Sequence, residues 1–146
     1  MTDTFDLGSV PVTDVAHLHV LHPKTTEPTG WIIDLAGPAH PETIAIGNEA
    51  VRERAVLERE QATAMARGRK VKLPDLDIEG DRTRTLGRIA RRILGWTPVT
   101  MNGEAFAFSR DNAIVLLKDP RYAWVGTQIL DFLGEDANFI GTSATS

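Results

Sequence analysis

The feature that most constrains the fold of this chain is a close succession of turn and helix-capping signals in its last third. Asn102-Gly103 is a tight-turn dipeptide, because both residue types tolerate positive φ. Ser109 stands where an N-cap belongs, directly ahead of an apolar helical segment. Asp119-Pro120 then supplies a second cap followed by proline at the first helical position. The segment therefore predicts a tight turn and two short helices, and none of its residues is arranged for catalysis.

The apolar residues around these signals recur at helical spacing. In the final helix they fall on one face, which predicts a buried stripe made of Tyr122, Val125, Ile129, Phe132 and Leu133. An earlier helix, capped by Asp81 or Thr83 and ending before Gly95, carries a similar face made of Leu86, Ile89, Ala90, Ile93 and Leu94. Together these segments predict a compact C-terminal helical bundle.

A long helix is predicted over residues 41–69, which are rich in Ala, Glu, Arg, Gln and Leu and contain no internal proline after Pro41. Its apolar stripe is thin and depends largely on alanine. Such a helix either stands out from the body of the protein or packs closely against a like partner. We therefore predict that Val51, Ala55 and Ala62 bind a partner or mediate self-association.

The N-terminal part predicts a β-hairpin. Residues 15–21 alternate in polarity, with Leu18 and Val20 on one face, and residues 31–35 form a second β-prone run after the loop 22–30. A lone hairpin is marginal in water, so its apolar face must rest on the helices or on another subunit.

The predicted fold class is therefore α+β, with an N-terminal β-hairpin, one long helix and the helical bundle. The predicted organisation is a flexible leader over 1–13, the hairpin and long helix over 14–70, and a connector over 71–80. A C-terminal helical unit over 81–141 and a disordered tail over 142–146 complete it.

Composition narrows the function. The chain has 146 residues, a net charge of −4 and no cysteine, so a basic nucleic-acid-binding domain, a disulfide framework and a thiolate metal site are not expected. We also expect no membrane span and no secretion signal, which suits a protein that works in the cytoplasm. One segment is rich in arginine and contains Arg82, Arg84, Arg88, Arg91 and Arg92. It indicates either the solvated face of a helix or a surface for an acidic partner or a nucleic acid.

Each candidate site also has a plainer structural interpretation. His17 and His19 share a strand face and are close to His22, but the strand contains no carboxylate, so a polar strand face with a loop histidine explains them better than a metal site does. No pattern of catalytic or cofactor-binding residues is present, so we predict no catalytic, cofactor or metal residues and no enzyme. Trp31 and Trp124 are the remaining candidates. Trp124 lies off the apolar stripe, where it either packs against a loop or anchors a partner.

The last third also resembles a known family. It contains, in order, Asn-Gly-Glu, Phe-Ser-x-x-Asn-Ala, Leu-Leu-x-Asp-Pro, Trp-x-x-x-Gln and Asp-x-Asn-Phe. This series resembles the C-terminal half of the tail assembly chaperones of long-tailed (siphovirus-type) bacteriophages. The loop 22–30 is similar to the turn that such proteins carry between two N-terminal strands.

The resemblance implies a helper that binds the tape measure protein and helps to recruit tail tube subunits during virion assembly. It implies a location in the host cytoplasm and absence from the mature virion. Two alternatives stay open at this point. One is a structural virion component, such as a tail tube, connector or tail completion protein, and the other is a bacterial protein–protein adaptor.

Overall fold

The computed structural model describes residues 4–69 and 77–141, which form a mixed α+β fold and confirm the predicted fold class. The strands are β1 (Val15–Leu21), β2 (Pro28–Ala36), β3 (Ile93–Trp96), β4 (Thr100–Met101) and β5 (Glu104–Ala105). The helices are α1 (Pro41–Ala66), α2 (Ile78–Arg92), α3 (Arg110–Lys118) and α4 (Ala123–Leu133). Short 3-10 turns lie at Leu7–Ser9, Pro120–Tyr122 and Asp136–Phe139.

The N-terminal hairpin is present, with β1 antiparallel to β2. In β1, Ala16, Leu18 and Val20 are buried and the residues between them are exposed, so the predicted facing of this strand is confirmed. The second strand begins at Pro28, three residues earlier than predicted. Its start is held by Thr29, whose hydroxyl donates a hydrogen bond to the carbonyl oxygen of Val20 at 2.7 Å.

The helix predicted to start after Asp81 or Thr83 and to end before Gly95 corresponds to α2, and both of its predicted boundaries are wrong. Helix α2 begins at Ile78, because the side chain of Asp77 accepts a hydrogen bond from the backbone N–H of Gly80 at 2.9 Å and caps the helix before Asp81. It ends at Arg92, and the next four residues form β3. A short apolar run such as the one at Ile93 fits the period of a helix and that of a strand equally well. Pairing with the distant strand β2 makes it a strand.

Strand β3 extends the hairpin into a three-stranded antiparallel sheet with the order β1-β2-β3. One hydrophobic core then forms between this sheet and the C-terminal helices. Its buried members are Leu18, Val20, Ile33, Leu35, Ala90, Ile93, Ala113, Leu116, Val125 and Ile129. The hairpin thus rests on the helices, and the helical unit predicted over 81–141 shares its core with the sheet instead of forming a separate bundle.

The two ends of the described chain meet. The backbone N–H of Thr13 donates to the carbonyl oxygen of Phe139 at 2.7 Å, and that of Gly141 donates to the carbonyl oxygen of Pro11 at 2.8 Å. Residues 11–13 of the predicted leader are therefore paired with the C-terminal segment. The predicted tail 142–146 and most of the predicted connector lie outside the described residues, while Asp77 caps α2 and residues 78–80 form its first turn.

Helix α1 differs from every other long element because none of its 26 residues is buried. It begins after His40, whose Nδ1 accepts a hydrogen bond from the N–H of Glu42 at 3.0 Å. Its second half, from residue 51 onward, is almost wholly exposed. Throughout residues 4–69 and 77–141, no helix is long and apolar enough to cross a membrane.

Because sheet and helices share one core, large-to-small changes on either side should destabilise the whole protein. We expect Ile33→Ala in β2 and Ile129→Ala in α4, both fully buried, each to lower the free energy of unfolding by about 2–5 kcal/mol. Val51→Ala on the exposed face of α1 should change it by less than about 0.5 kcal/mol. Chemical denaturation followed by tryptophan fluorescence measures all three. Separate transitions for sheet and helices would contradict the shared core.

Candidate partner-binding surfaces

A tight β-turn follows the sheet and positions a set of aromatic side chains. Asn102 and Gly103 have φ angles of 53° and 84°, which are the left-handed values that a primed hairpin turn needs. They connect β4 to β5, and the N–H of Phe106 then donates to the carbonyl oxygen of Val99 at 2.8 Å. The turn predicted at Asn102-Gly103 is thus confirmed, and it brings Phe106 back beside the end of β3.

Trp96, the last residue of β3, is the centre of an aromatic cluster. Its ring stacks on Phe106 at 5.6 Å between centroids, and it meets Phe108 edge to face at 5.1 Å. Trp31 of β2 meets the same ring edge to face at 5.7 Å. The indole N–H of Trp96 donates to the carbonyl oxygen of Phe106 at 3.0 Å, so polar and apolar contacts of this ring act together.

Beside this cluster lies an open cavity of about 680 Å³. Its lining combines β2, the β4–β5 hairpin, α3 and the start of α4. Leu116 and Val125 line it and are also buried core residues, so the cavity opens directly onto the hydrophobic core. We call this cavity the aromatic pocket, and its lining residues are Thr29, Gly30, Trp31, Pro98, Val99, Thr100, Met101, Asn102, Ala105, Phe106, Leu116, Tyr122, Trp124 and Val125.

The structure brings together two of the predicted partner-binding residues. Trp31 and Trp124 are 93 positions apart in sequence, both are half-buried, and both line the aromatic pocket. The indole N–H of Trp31 is buried and has no hydrogen-bond acceptor in the described part of the chain. The sequence did not single out Met101 and Ala105, which also line the pocket. Their position on either side of the Asn-Gly turn could have indicated that both residues lie on the hairpin beside the pocket.

The other predicted partner-binding residues lie apart from this pocket, on α1. This helix is attached to α2 by ion pairs. Arg91 donates to Glu42 at 2.6 Å and to Glu49 at 2.5 Å, and Arg88 contacts Glu53 at 2.6 Å. The guanidinium of Arg91 lowers the pKa of Glu49 below its ordinary value of 4.5, chiefly through this hydrogen bond.

The ion pairs determine which way α1 faces. At 100° per residue, Glu42, Glu49 and Glu53 share one side of the helix, and Val51 and Ala55 lie on the opposite side. Val51 is 68% exposed, and Ala55 and Ala62 are exposed with it. The predicted stripe on α1 therefore points into solvent.

The plainer interpretation of the arginines as one solvated helix face is wrong for three of them. Arg88 and Arg91 hold α1, and Arg92 donates to the carbonyl oxygen of Ala36 at 2.7 Å. Arg82 and Arg84 are exposed, as that interpretation requires. Glu42, Glu49 and Glu53 align on one side of α1, and this alignment could have predicted that the arginines pair with α1.

His17 and His22 have separate hydrogen-bonding partners. His17 Nδ1 lies 2.5 Å from a carboxylate oxygen of Asp34 on the neighbouring strand. His22 Nδ1 accepts hydrogen bonds from the backbone of Lys24 and Thr25 within its turn. Within the described ranges, no three His, Asp or Glu residues come together as a group able to hold a metal ion.

Comparison of the chain with protein-family models finds no matching family, and comparisons with curated proteins and with solved structures find no significant match.

The two tryptophans of the cluster should respond differently to loss of the indole N–H. Trp96→Phe removes a hydrogen bond and leaves the carbonyl of Phe106 without its donor, so it should cost about 1–3 kcal/mol of unfolding free energy. Trp31→Phe removes an N–H that has no acceptor among the described residues, so its cost should be below about 1 kcal/mol. Urea denaturation of both variants measures the difference. A larger loss for Trp31→Phe would contradict the contacts described for the cluster.

The attachment of α1 should depend on pH. Because the folded-state pKa of Glu49 is depressed, its stabilising contribution is present above the unfolded-state pKa and is lost as pH falls through the folded value, below 4.5. Amide exchange of residues 41–53 should therefore accelerate on going from about pH 7 to about pH 3, after correction for intrinsic rates. In Glu49→Gln this acid-dependent component should shrink, whereas Glu58→Gln, on the outward face, should behave as the wild type. Equal responses of both variants would contradict the assignment.

Proposed function

We propose that this protein is a tail assembly chaperone that binds the tape measure protein of a long-tailed bacteriophage through the aromatic pocket. One observation carries the proposal. Residues from three separate pieces of the chaperone-like series line this one pocket: Asn102 from Asn-Gly-Glu, Leu116 from Leu-Leu-x-Asp-Pro, and Trp124 from Trp-x-x-x-Gln. Motif pieces that are apart in sequence thus meet at a single apolar surface.

The pocket suits a client that exposes apolar side chains. Clefts of this size that combine apolar walls with a few polar groups are typical ligand-binding sites, and at protein interfaces such pockets are filled by the partner's anchoring side chains. Tryptophan is enriched among residues that dominate binding energy, and here two tryptophans line the same opening. A tape measure protein is a very long helical chain whose apolar stripes aggregate if left bare. A chaperone that covers these stripes reversibly keeps the chain soluble until tail tube subunits replace it.

The interaction is non-covalent and calls for no cofactor. Binding and release follow from the relative affinities of chaperone and tube subunits for the same client surface. On this proposal the protein acts in the host cytoplasm, helps to bring tube subunits to the growing tail, and leaves before the virion is complete.

Co-expression with the cognate tape measure protein tests the proposal. We expect the tape measure protein to become soluble and to co-purify with this protein, and the pair to persist at high salt because the contact is mainly apolar. The double variant Trp31→Ala/Trp124→Ala should reduce recovery of the soluble pair by about tenfold or more. Phe5→Ala is the matched control, because Phe5 is an aromatic residue outside the pocket and is 69% exposed.

Two outcomes would overturn the proposal. One is a tape measure protein that is equally insoluble with and without this chain. The other is recovery of this chain from purified virions at fixed stoichiometry by mass spectrometry, which would identify it as a structural component of the tail.

A further inference from the structure

The outward face of α1 carries a heptad pattern. Residues at spacings of four and three form one continuous seam along the helix, made of Ile44, Asn48, Val51, Ala55, Glu58, Ala62 and Met65. Every one of these residues is exposed, and Ile44, Val51 and Met65 remain 51%, 68% and 68% accessible. An apolar seam of this period is the pattern by which one helix packs along another. We call these seven residues the α1 seam.

The seam is held outward by the body of the protein. Glu42, Glu49 and Glu53 occupy the opposite side of α1, where their ion pairs with Arg88 and Arg91 attach the helix to α2. Turning the seam inward would break these pairs and leave charged groups of α2 without partners. The core of the protein is also complete without α1, which contributes no buried residue to it.

Three of the residues that flank the seam are arginines, and they are its only charged flanking residues. Arg52 and Arg59 follow seam positions and Arg54 precedes one, so all three are at the sites that carry interhelical ion pairs in helix packing. None of them has a carboxylate within 4.0 Å in the described part of the chain. The nearby acidic residues Glu53 and Glu60 lie on the side away from the seam, and Glu58 is the one acidic residue within it. The seam side of this part of the helix therefore carries three arginines against one carboxylate.

This charge arrangement disfavours a second copy of the chain as the occupant. In a parallel pair of α1 helices, Arg54 of one copy would face Arg59 of the other. In an antiparallel pair with Ala55 opposite Glu58, Arg52 of one copy would face Arg59 of the other. Shifting the antiparallel register by one heptad brings Arg52 or Arg59 opposite itself. Like charges at these positions weaken association and select against the pair.

We propose that the α1 seam binds an amphipathic helix of a different protein whose apolar stripe is flanked by Asp and Glu. The apolar seam supplies contact area, and the three arginines select the partner by charge. Ala55 and Ala62 allow the partner backbone to approach closely, and the polar residues Asn48 and Glu58 favour one register, as polar seam residues do in coiled coils. This surface is separate from the aromatic pocket, and the inference does not require the partner to be a tape measure protein.

Two labelled synthetic peptides test this inference directly. Each is an amphipathic helix of about three heptads with a Leu and Ala seam, and they differ only in carrying Glu or Lys at the flanking positions. Fluorescence anisotropy with the full-length protein should show the Glu peptide binding at least about tenfold more tightly than the Lys peptide. The ratio should narrow as salt is raised, because the flanking charges are exposed and therefore screened.

Variants of α1 separate the apolar contribution to peptide binding from the electrostatic one. Val51→Ser/Met65→Ser keeps every charge and should weaken binding of the Glu peptide by about tenfold, because it removes two of the seam's three large apolar side chains. Val56→Ser is the matched control, because Val56 is 53% exposed but lies off the seam. The triple variant Arg52→Glu/Arg54→Glu/Arg59→Glu should reverse the preference and bind the Lys peptide. That gain also shows that the variant is folded.

Three outcomes would overturn the inference. One is equal binding, or no binding, of the two peptides by the wild-type protein. Another is unchanged binding of the Glu peptide by Val51→Ser/Met65→Ser, which would place it elsewhere on the surface. The third is self-association of the wild-type protein in sedimentation that Val51→Ser/Met65→Ser abolishes, which would make a second copy the occupant.

Discussion

The pairing of β3 with β2 is the constraint on which the rest of the structure depends. It places Ile33 opposite Trp96 and Leu35 opposite Ile93, so the N-terminal hairpin is joined to the C-terminal helices through one sheet. Strand β3 also positions the segments on either side of it. It fixes the C-terminal end of α2, whose arginines hold α1, and it ends at Trp96, the centre of the aromatic cluster beside the pocket. Without this pairing, the two candidate surfaces would have no common support.

These two surfaces differ in their physical character. The aromatic pocket is concave, opens onto the core and is built from residues far apart in sequence, so its shape depends on the whole fold. The α1 seam is a linear surface on one helix that contributes no buried side chain. A change in the core should therefore impair the pocket first. The seam should keep its pattern for as long as α1 stays helical, and its direction for as long as the ion pairs with α2 hold.

Sequence reasoning succeeded where the signal is local. Alternation in β1, the Asn102-Gly103 turn and the Ser109 cap each depend on a few neighbouring residues, and the structure confirms them. It was wrong where distant residues decide the outcome. The segment at Ile93 reads as the end of a helix by its own periodicity and becomes a strand because β2 offers it hydrogen bonds and a buried face. The meeting of Trp31 and Trp124 at one pocket likewise follows from the topology and from no local pattern.

We propose that the aromatic pocket, which residues of the chaperone-like series line, binds the tape measure protein. Hydrogen-exchange mass spectrometry of the full-length protein, with and without its cognate tape measure protein, tests this most directly. If the pocket binds this client, amide exchange should slow on binding in residues 29–31, 98–106 and 116–125, which hold the lining of the aromatic pocket. Unchanged exchange in all three segments, at concentrations where the two proteins co-purify, would contradict it.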